Sequence, residues 1–336
     1  MTTAVLEAPV AQPGAPAPGW RTNRWLLFGL RRSARLLVSL WALVSAAFLM
    51  IHLIPGDPAR AALGMTASPE MVAARRAAMG LDDPLWQQYA GFLGGVCKGD
   101  FGTSTVSGLP VAQTIGDRLP ATLQLALLAF CAALVVAVPV GVLMAALTRG
   151  GRRRGGELAF TSASVLLAVI PEFLLAVVLA YVFAVRLGWF PVAGRSGPGS
   201  YVLPVLALAT GPASVLARLC RVEMLSVLGA DYVRTARAKR LPARLVYLRH
   251  ALPNALTATL TVGGLLLSAL VAGTVLVENV FAWPGLGSTI VQSILQKDYP
   301  VVQGVVLVYG FGVLAVNLLV DAALALLDPR STIRED

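Results

Sequence analysis

Residues Asp231 to Asn254 read DYVRTARAKRLPARLVYLRHALPN, a basic stretch set between two long apolar runs. Its cations recur at helical spacing. Arg234 and Arg237 are three apart and Arg240 and Arg244 four apart, so each pair shares a helix face, while Leu245, Leu248 and Leu252 line another. Asp231 can cap a helix through Ala238, and Leu241-Pro242 restarts a second with proline at a tolerated first-turn position. The pattern predicts two short helices joined by a kink. An amphipathic basic segment of this kind fits a groove on a soluble partner; a loop lying on anionic lipid is the other reading of the same pattern.

The runs on either side decide the fold class. Of 336 residues, 57% are hydrophobic and 13% charged, and the mean hydropathy is +0.75. That is far more apolar material than one soluble core needs, so the chain is expected to be an all-α integral membrane protein. Six stretches reach the ~20 residues of one helical crossing: Leu36–Ile54, Leu119–Thr148, Leu158–Val185, Tyr201–Ala217, Ala255–Val277 and Tyr299–Val320. An even number of crossings puts both termini on one side. Most of the 27 Lys and Arg then lie on the side of the termini, which predicts that both are cytoplasmic. The pI near 10.2 is accounted for by this asymmetry and by anionic headgroups, which argues against nucleic acid as a partner.

The remaining polar residues narrow the chemistry. Cys97, Cys131 and Cys220 fall in an outer loop, a span and an inner span end, and form no disulfide framework. Two histidines are too few for a histidine-ligated metal or haem site, so no metal site is expected. Residues 1–19 are Ala/Pro-rich and read as a disordered cytoplasmic tail. The Arg and Trp residues up to Arg35 suit the headgroup level. Residues 55–118 are too many for a plain connector and predict an ordered outer cap. Within it, Ser68-Pro69-Glu70 opens a helix that Gly80 closes, and Asp83-Pro84 opens a second running through Trp86 and Tyr89. Gly188-Trp189-Phe190-Pro191 places aromatics at the outer interface.

No G-x-x-x-x-G-K-[ST], G-x-S-x-G or H-E-x-x-H motif occurs, so no catalytic residue and no bound cofactor are expected on this chain. Uphill transport would draw on an ion gradient or on a separate ATPase. Three acids sit in or beside apolar runs, where an ionised group costs ~2.5–3.5 kcal/mol at a helix centre. Glu172 follows Pro171 in the third run and either lines a solute path or bonds between helices; Glu278 ends the fifth run; Asp321 lies near the inner end of the sixth. Pro284-Gly285-Leu286-Gly287 predicts a tight outer turn whose backbone approaches the path or merely joins two spans. A proton-coupled secondary transporter relaying protons through the three acids is the competing class, and it leaves the basic segment without a purpose. An intramembrane enzyme would need a nucleophile and base on neighbouring helices, which the two histidines near opposite faces do not supply.

The basic segment resembles the coupling (EAA) loop of bacterial ABC-importer permeases. The family's acid and two small residues fall at Arg234-Thr235-Ala236, its glycine at position 240, and its closing Leu-Pro at Leu252-Pro253. I-P-G-D-P at 54–58, G-L-D-D-P-L-W-Q-Q-Y at 80–89 and V-F-A-W-P-G-L-G at 280–287 resemble the dipeptide, oligopeptide and nickel permeases of that group, in the same order along the chain. The resemblance implies a type I importer permease fold of six transmembrane helices with cytoplasmic coupling helices. It divides the chain into an N-terminal segment 1–32, a transmembrane domain 33–330 with outer cap 55–118 and coupling loop 226–253, and a tail 331–336. It implies a bacterial inner-membrane location and four kinds of partner: a second homologous permease, two ABC ATPases carrying ATP and Mg, an extracellular solute-binding protein, and membrane lipid. The solute would be a di- or oligopeptide, with a nickel or other metal chelate or a glutathione-type solute as alternatives. Contact with the ATPase would fall to Asp231, Tyr232, Arg234, Thr235, Ala236, Arg237, Lys239, Arg240, Leu241, Pro242 and Arg244, and the path to Glu172, Glu278, Pro284 and Gly285. One departure stands out, because Arg240 replaces the loop glycine. A left-handed backbone there costs a non-glycine residue roughly 1–2 kcal/mol, so the expectation is a remodelled turn in which Arg240 adds a contact to the ATPase.

Overall fold

The computed structural model describes residues 24–53, 57–63, 67–151 and 153–327. The expected N-terminal tail 1–19 and the C-terminal tail 331–336 lie outside them. In order, the helices are α1 (Arg24–Leu53), α2 (Pro58–Leu63), α3 (Pro69–Ala78), α4 (Leu85–Lys98), α5 (Val111–Thr148), α6 (Arg154–Val169), α7 (Glu172–Leu179), α8 (Val202–Val227), α9 (Asp231–Ala238), α10 (Ala243–Leu245), α11 (Leu252–Val280), α12 (Leu286–Leu295) and α13 (Tyr299–Leu327). The described residues divide into two units, one up to Ala42 and one from Leu43 onward. Among the described residues the only β-pairing is the bridge between Thr103 and Pro110.

Among the described residues, five helices are long and apolar enough to cross a membrane, and α6 with the helical stretch from Glu172 to Arg186 makes a sixth crossing if that bent pair counts as one. The third run, Leu158–Val185, is broken at its proline. It turns by 94° between Val169 and Glu172, because Pro171 has no N–H to give and drives Ile170 out of the helical region, to ψ 122°. The helix that contains the second apolar run begins at Val111, ahead of the expected Leu119. Asp117 and Arg118 had masked that first turn.

The frame of the larger unit is the pair α5 and α8. Along α5 every fourth residue is buried: Ala121, Leu125, Ala129, Ala133, Ala137, Gly141 and Ala145. This row of small side chains lets two backbones approach, which is how helices associate where lipid removes the hydrophobic drive. Contact is closest at Gly141, where a Cβ would stand 2.7 Å from both the Ala217 carbonyl oxygen and the Cys220 Cβ. Leu203, Ala207 and Leu208 of α8 and Leu270 and Val277 of α11 complete the outer part of the core. Between α11 and α13, Ser268 donates to the Asn317 side-chain oxygen at 2.8 Å. Large apolar side chains such as Leu127, Val135, Leu166, Val169 and Leu319 remain exposed, as lipid and partner chains require.

The outer cap follows its capping signals. Ser68 accepts from the Met71 N–H at 3.3 Å, and Gly80 ends the turn with φ +66°. Helix α4 lies against the outer half of α1, where Tyr89 and Ser45 share a hydrogen bond of 2.8 Å and Phe48 stacks edge-on to Tyr89. Asp57 pairs with Arg76 at 3.1 Å, and Arg76 also reaches Asp82 at 2.9 Å. Behind the cap, Asp298 is buried and accepts from the Ser104 hydroxyl and, at 3.0 Å, from the Thr105 N–H.

Candidate functional site: the inner basic segment and the outer loop

Helix α9 covers the predicted residues, Asp231 to Ala238, but starts differently. Ala230 holds the capping position, and Asp231 is the first helical residue, its carboxylate 3.3 Å from Arg234. One face is seated: Val233 and Ala236 are buried among Ala145, Cys220, Met224, Leu228, Val246, Ala251 and Ala255. Burying Val233 contributes about 1.5–3 kcal/mol to that seat. Asp231, Tyr232, Arg234, Thr235, Lys239 and Arg240 stay exposed, and Arg237 is half-buried with one guanidinium nitrogen, Nη2, enclosed. The segment thus presents a charged face to water from an apolar footing in the membrane domain.

The turn after α9 keeps its left-handed residue, so the expected remodelling is overturned. Arg240 has φ +55°. Its N–H donates to the Arg237 carbonyl at 2.8 Å, and the Leu241 N–H to the Ala236 carbonyl at 3.4 Å. That is the paired closure of a helix end by a left-handed residue, usually glycine. Arg240 therefore carries the strain, and being non-helical it shares no helix face with Arg244. The second helix also departs from expectation. Pro242 is its cap, and α10 continues through a π-turn (Val246–Ala251) into α11, forming one apolar helix from Ala243 to Val280. Its buried stripe is Val246, Ala251 and Ala255, whereas Leu248 is exposed.

Sequence reasoning passed over Arg221, which is buried on α8 one residue from Cys220. Its Nη2 meets Glu157 of α6 at 2.6 Å, and its Nε donates to the Thr148 hydroxyl, at the end of α5, at 3.1 Å. Two arginines three apart, Arg218 and Arg221, near the end of an apolar helix were the available signal. The pair ties three helices together beside the seat of α9.

At the outer end, the turn after α11 is folded down onto α5. Trp283 is fully buried and its indole N–H donates to the Ala121 carbonyl at 3.2 Å, while the Leu286 N–H donates to the Thr122 hydroxyl at 2.8 Å. Glu278 is fully buried too; its Oε2 accepts from the Gly287 N–H at 2.7 Å and the Ser288 N–H at 3.2 Å. A carboxylate at the first turn of α12 satisfies donors that no helical partner reaches. Gly285 is buried beside that carboxylate, and Pro284 is half-buried. The structure therefore brings Glu278, Pro284 and Gly285 together in one loop. Glu172 stands apart, half-buried at the break of the third span, against Gly273 of α11, where a Cβ would lie 2.6 Å from its Oε2. Asp321 lies towards the end of α13.

Residues 137–333 match the family described as the inner membrane component of binding-protein-dependent transport systems, and residues 25–126 match the N-terminal region of the same kind of component. The chain belongs to this family. It is a permease subunit of an ABC importer and a multi-pass membrane protein, and in this family ATP hydrolysis belongs to a separate subunit. A Brucella suis protein named for a peptide transport system permease is 40% identical over 309 residues, covering 90% of this chain and 97% of its own length. The glutathione transport system permease protein GsiC of Salmonella typhimurium is 39% identical over 305 residues, covering 90% of this chain and 98% of its own. Among solved structures, an inward-facing conformation of the MetNI methionine ABC transporter has a chain with a TM-score of 0.55 at 20% identity, covering 64% of this permease and 97% of that chain. That likeness establishes the importer permease fold.

Proposed function

We propose that this permease supplies half of the path of an ATP-driven importer for di- and oligopeptides, and that a partner ATPase grips it at α9 and the turn through Pro242. One observation supports the grip above others: α9 is anchored by Val233 and Ala236 and turns its charges outward. Asp231, Tyr232, Arg234, Thr235, Lys239 and Arg240 form the contact, Ala236 and Arg237 its base, and Leu241, Pro242 and Arg244 its far edge. A second homologous permease completes the path and two ATPases, with ATP and Mg, drive it. An extracellular binding protein delivers solute at the outer cap. Both termini are cytoplasmic, as the Lys and Arg distribution favours.

In this reading, closure of the ATPases displaces α9, and its seat passes the displacement to α5 and α8, which move as one unit because their backbones touch. Of these two helices, α5 carries the outer loop through Ala121 and Thr122, so the outer gate follows. Glu172 lines the path at the break of the third span. Glu278, Pro284 and Gly285 shape the gate by holding its loop. Glu278 Oε2 is held by backbone N–H groups of its own loop, while Oε1 is enclosed without a hydrogen-bond partner. The proton-coupled alternative is disfavoured because it leaves the basic segment without a purpose.

Peptides are favoured by the peptide-type relatives, with a glutathione-type solute as the second reading through GsiC. The test is uptake by the complete transporter in liposomes of a labelled dipeptide, of glutathione and of nickel chelate. ATP-dependent dipeptide uptake is expected. Uptake of nickel alone would replace the peptide reading, and uptake driven by a pH gradient without ATP would end the coupling reading.

A further inference from the structure

The turn between the third and fourth spans borders an open, shallow cleft of about 720 Å³ lined by Leu128, Arg195, Ser196, Gly197, Pro198 and Tyr201. None of these residues has a part in the coupling surface or in the Glu278 loop. The volume falls within the roughly 300–1,000 Å³ of small-molecule sites and has room for a short peptide. Its walls are mostly apolar, and Arg195 is the one charged residue among them.

That guanidinium is held in place. Nε donates to the Tyr201 hydroxyl at 2.6 Å, Nη2 donates to the Gln124 side-chain oxygen at 2.6 Å, and the Tyr201 hydroxyl donates to the same oxygen at 3.4 Å. Tyr201 is in turn fixed edge-on against buried Trp283, with ring centroids 4.7 Å apart. An exposed arginine on an irregular turn is thereby preorganised by the rigid outer loop, which lowers the cost of ordering it on binding. These bonds leave both Nη1 protons unused. Among the described residues no carboxylate pairs with Arg195. A planar fork of free N–H groups beside apolar walls matches a carboxylate attached to an apolar body.

We propose that this cleft receives the free carboxylate end of an incoming peptide, with Arg195 as the carboxylate-binding residue. The inference rests on the peptide-importer reading and adds to it a site and a polarity of entry. In the test, the binding protein is loaded to saturation with a dipeptide, either as the free acid or as the C-terminal amide. Single-turnover uptake by the complete transporter in liposomes is then timed. Arg195→Gln should slow uptake of the free acid roughly ten-fold or more, the scale of one lost charge-assisted hydrogen bond, and leave the amide nearly unchanged. Arg195→Lys, which keeps the charge without the fork, should fall between. Equal slowing of both peptides, with weaker docking of the empty binding protein, overturns the inference and gives Arg195 to a carboxylate of that protein. Unchanged uptake of both overturns it outright while the peptide reading stands. Failure of the unmodified transporter to take up either peptide ends that reading, and the inference with it.

Discussion

Two buried ionisable side chains, Arg221 and Glu278, mark the two ends of the α5–α8 frame, and they find their partners in opposite ways. At the inner end Arg221 is answered by Glu157, a side chain on another helix and 64 positions away. At the outer end Glu278 is answered by N–H groups of Gly287 and Ser288, within ten positions on its own loop. The inner pair joins α6 to the α5–α8 frame, so it sits where that frame meets a further helix. The outer carboxylate closes a local loop, which Trp283 then presses onto α5. One end of the frame is a joint and the other is a rigid attachment.

The contrast breaks most visibly at the attachment. Trp283→Ala should destabilise the purified permease by about 3–5 kcal/mol, the cost of emptying a fully buried indole site, read as a lowered midpoint in chemical denaturation. At the joint, Glu157→Ala strands a buried cation and should cost about 3 kcal/mol by the same assay, whereas Arg221→Met should cost much less. The reason is that Glu157, part-exposed, can turn to water. Equal losses from the two changes would show that Arg221 is not the desolvated partner. Arg240→Gly should stabilise the chain by roughly 1 kcal/mol or a little more by relieving its left-handed backbone, with the midpoint moving up.

The smallest effect lies in the cap. Burial pushes the Asp57 carboxyl up, but the Arg76 hydrogen bond, the Ala59 N–H and the Arg76 charge together hold it below the usual carboxylate range. A lowered folded value means that its stabilisation is fully present above the unfolded pKa of ~3.9 and is lost as pH falls through the folded value. Amide exchange in Pro69–Ala78 should therefore quicken only in strong acid, and Asp57→Asn should remove that step.

Much of this architecture was legible because it is written in local signals. Ser68-Pro69 and Gly80 bound a cap helix through their own backbone preferences, and α9 runs between the residues its pattern named. The apolar lengths located the spans. What escaped depends on partners distant in the chain. That Trp283 is buried follows from the Ala121 carbonyl, which no spacing near position 283 reveals, and Arg221 is explained only by helices on either side of a turn. The π-turn was hidden because Val246–Ala251 continues an ordinary helical pattern while its hydrogen bonds shift by one residue. At Arg240 the sequence signalled strain, and the structure keeps the strained turn because both closing hydrogen bonds depend on it.

The central claim is that α9 couples this permease to ATP hydrolysis. Hydrolysis by the complete transporter in liposomes should be measured with and without Arg234→Glu combined with Lys239→Glu, two exposed changes that leave the seat of α9 intact. The account predicts that the assembled complex loses most of its permease-dependent hydrolysis and uptake together. Full hydrolysis and uptake with both charges reversed would contradict it.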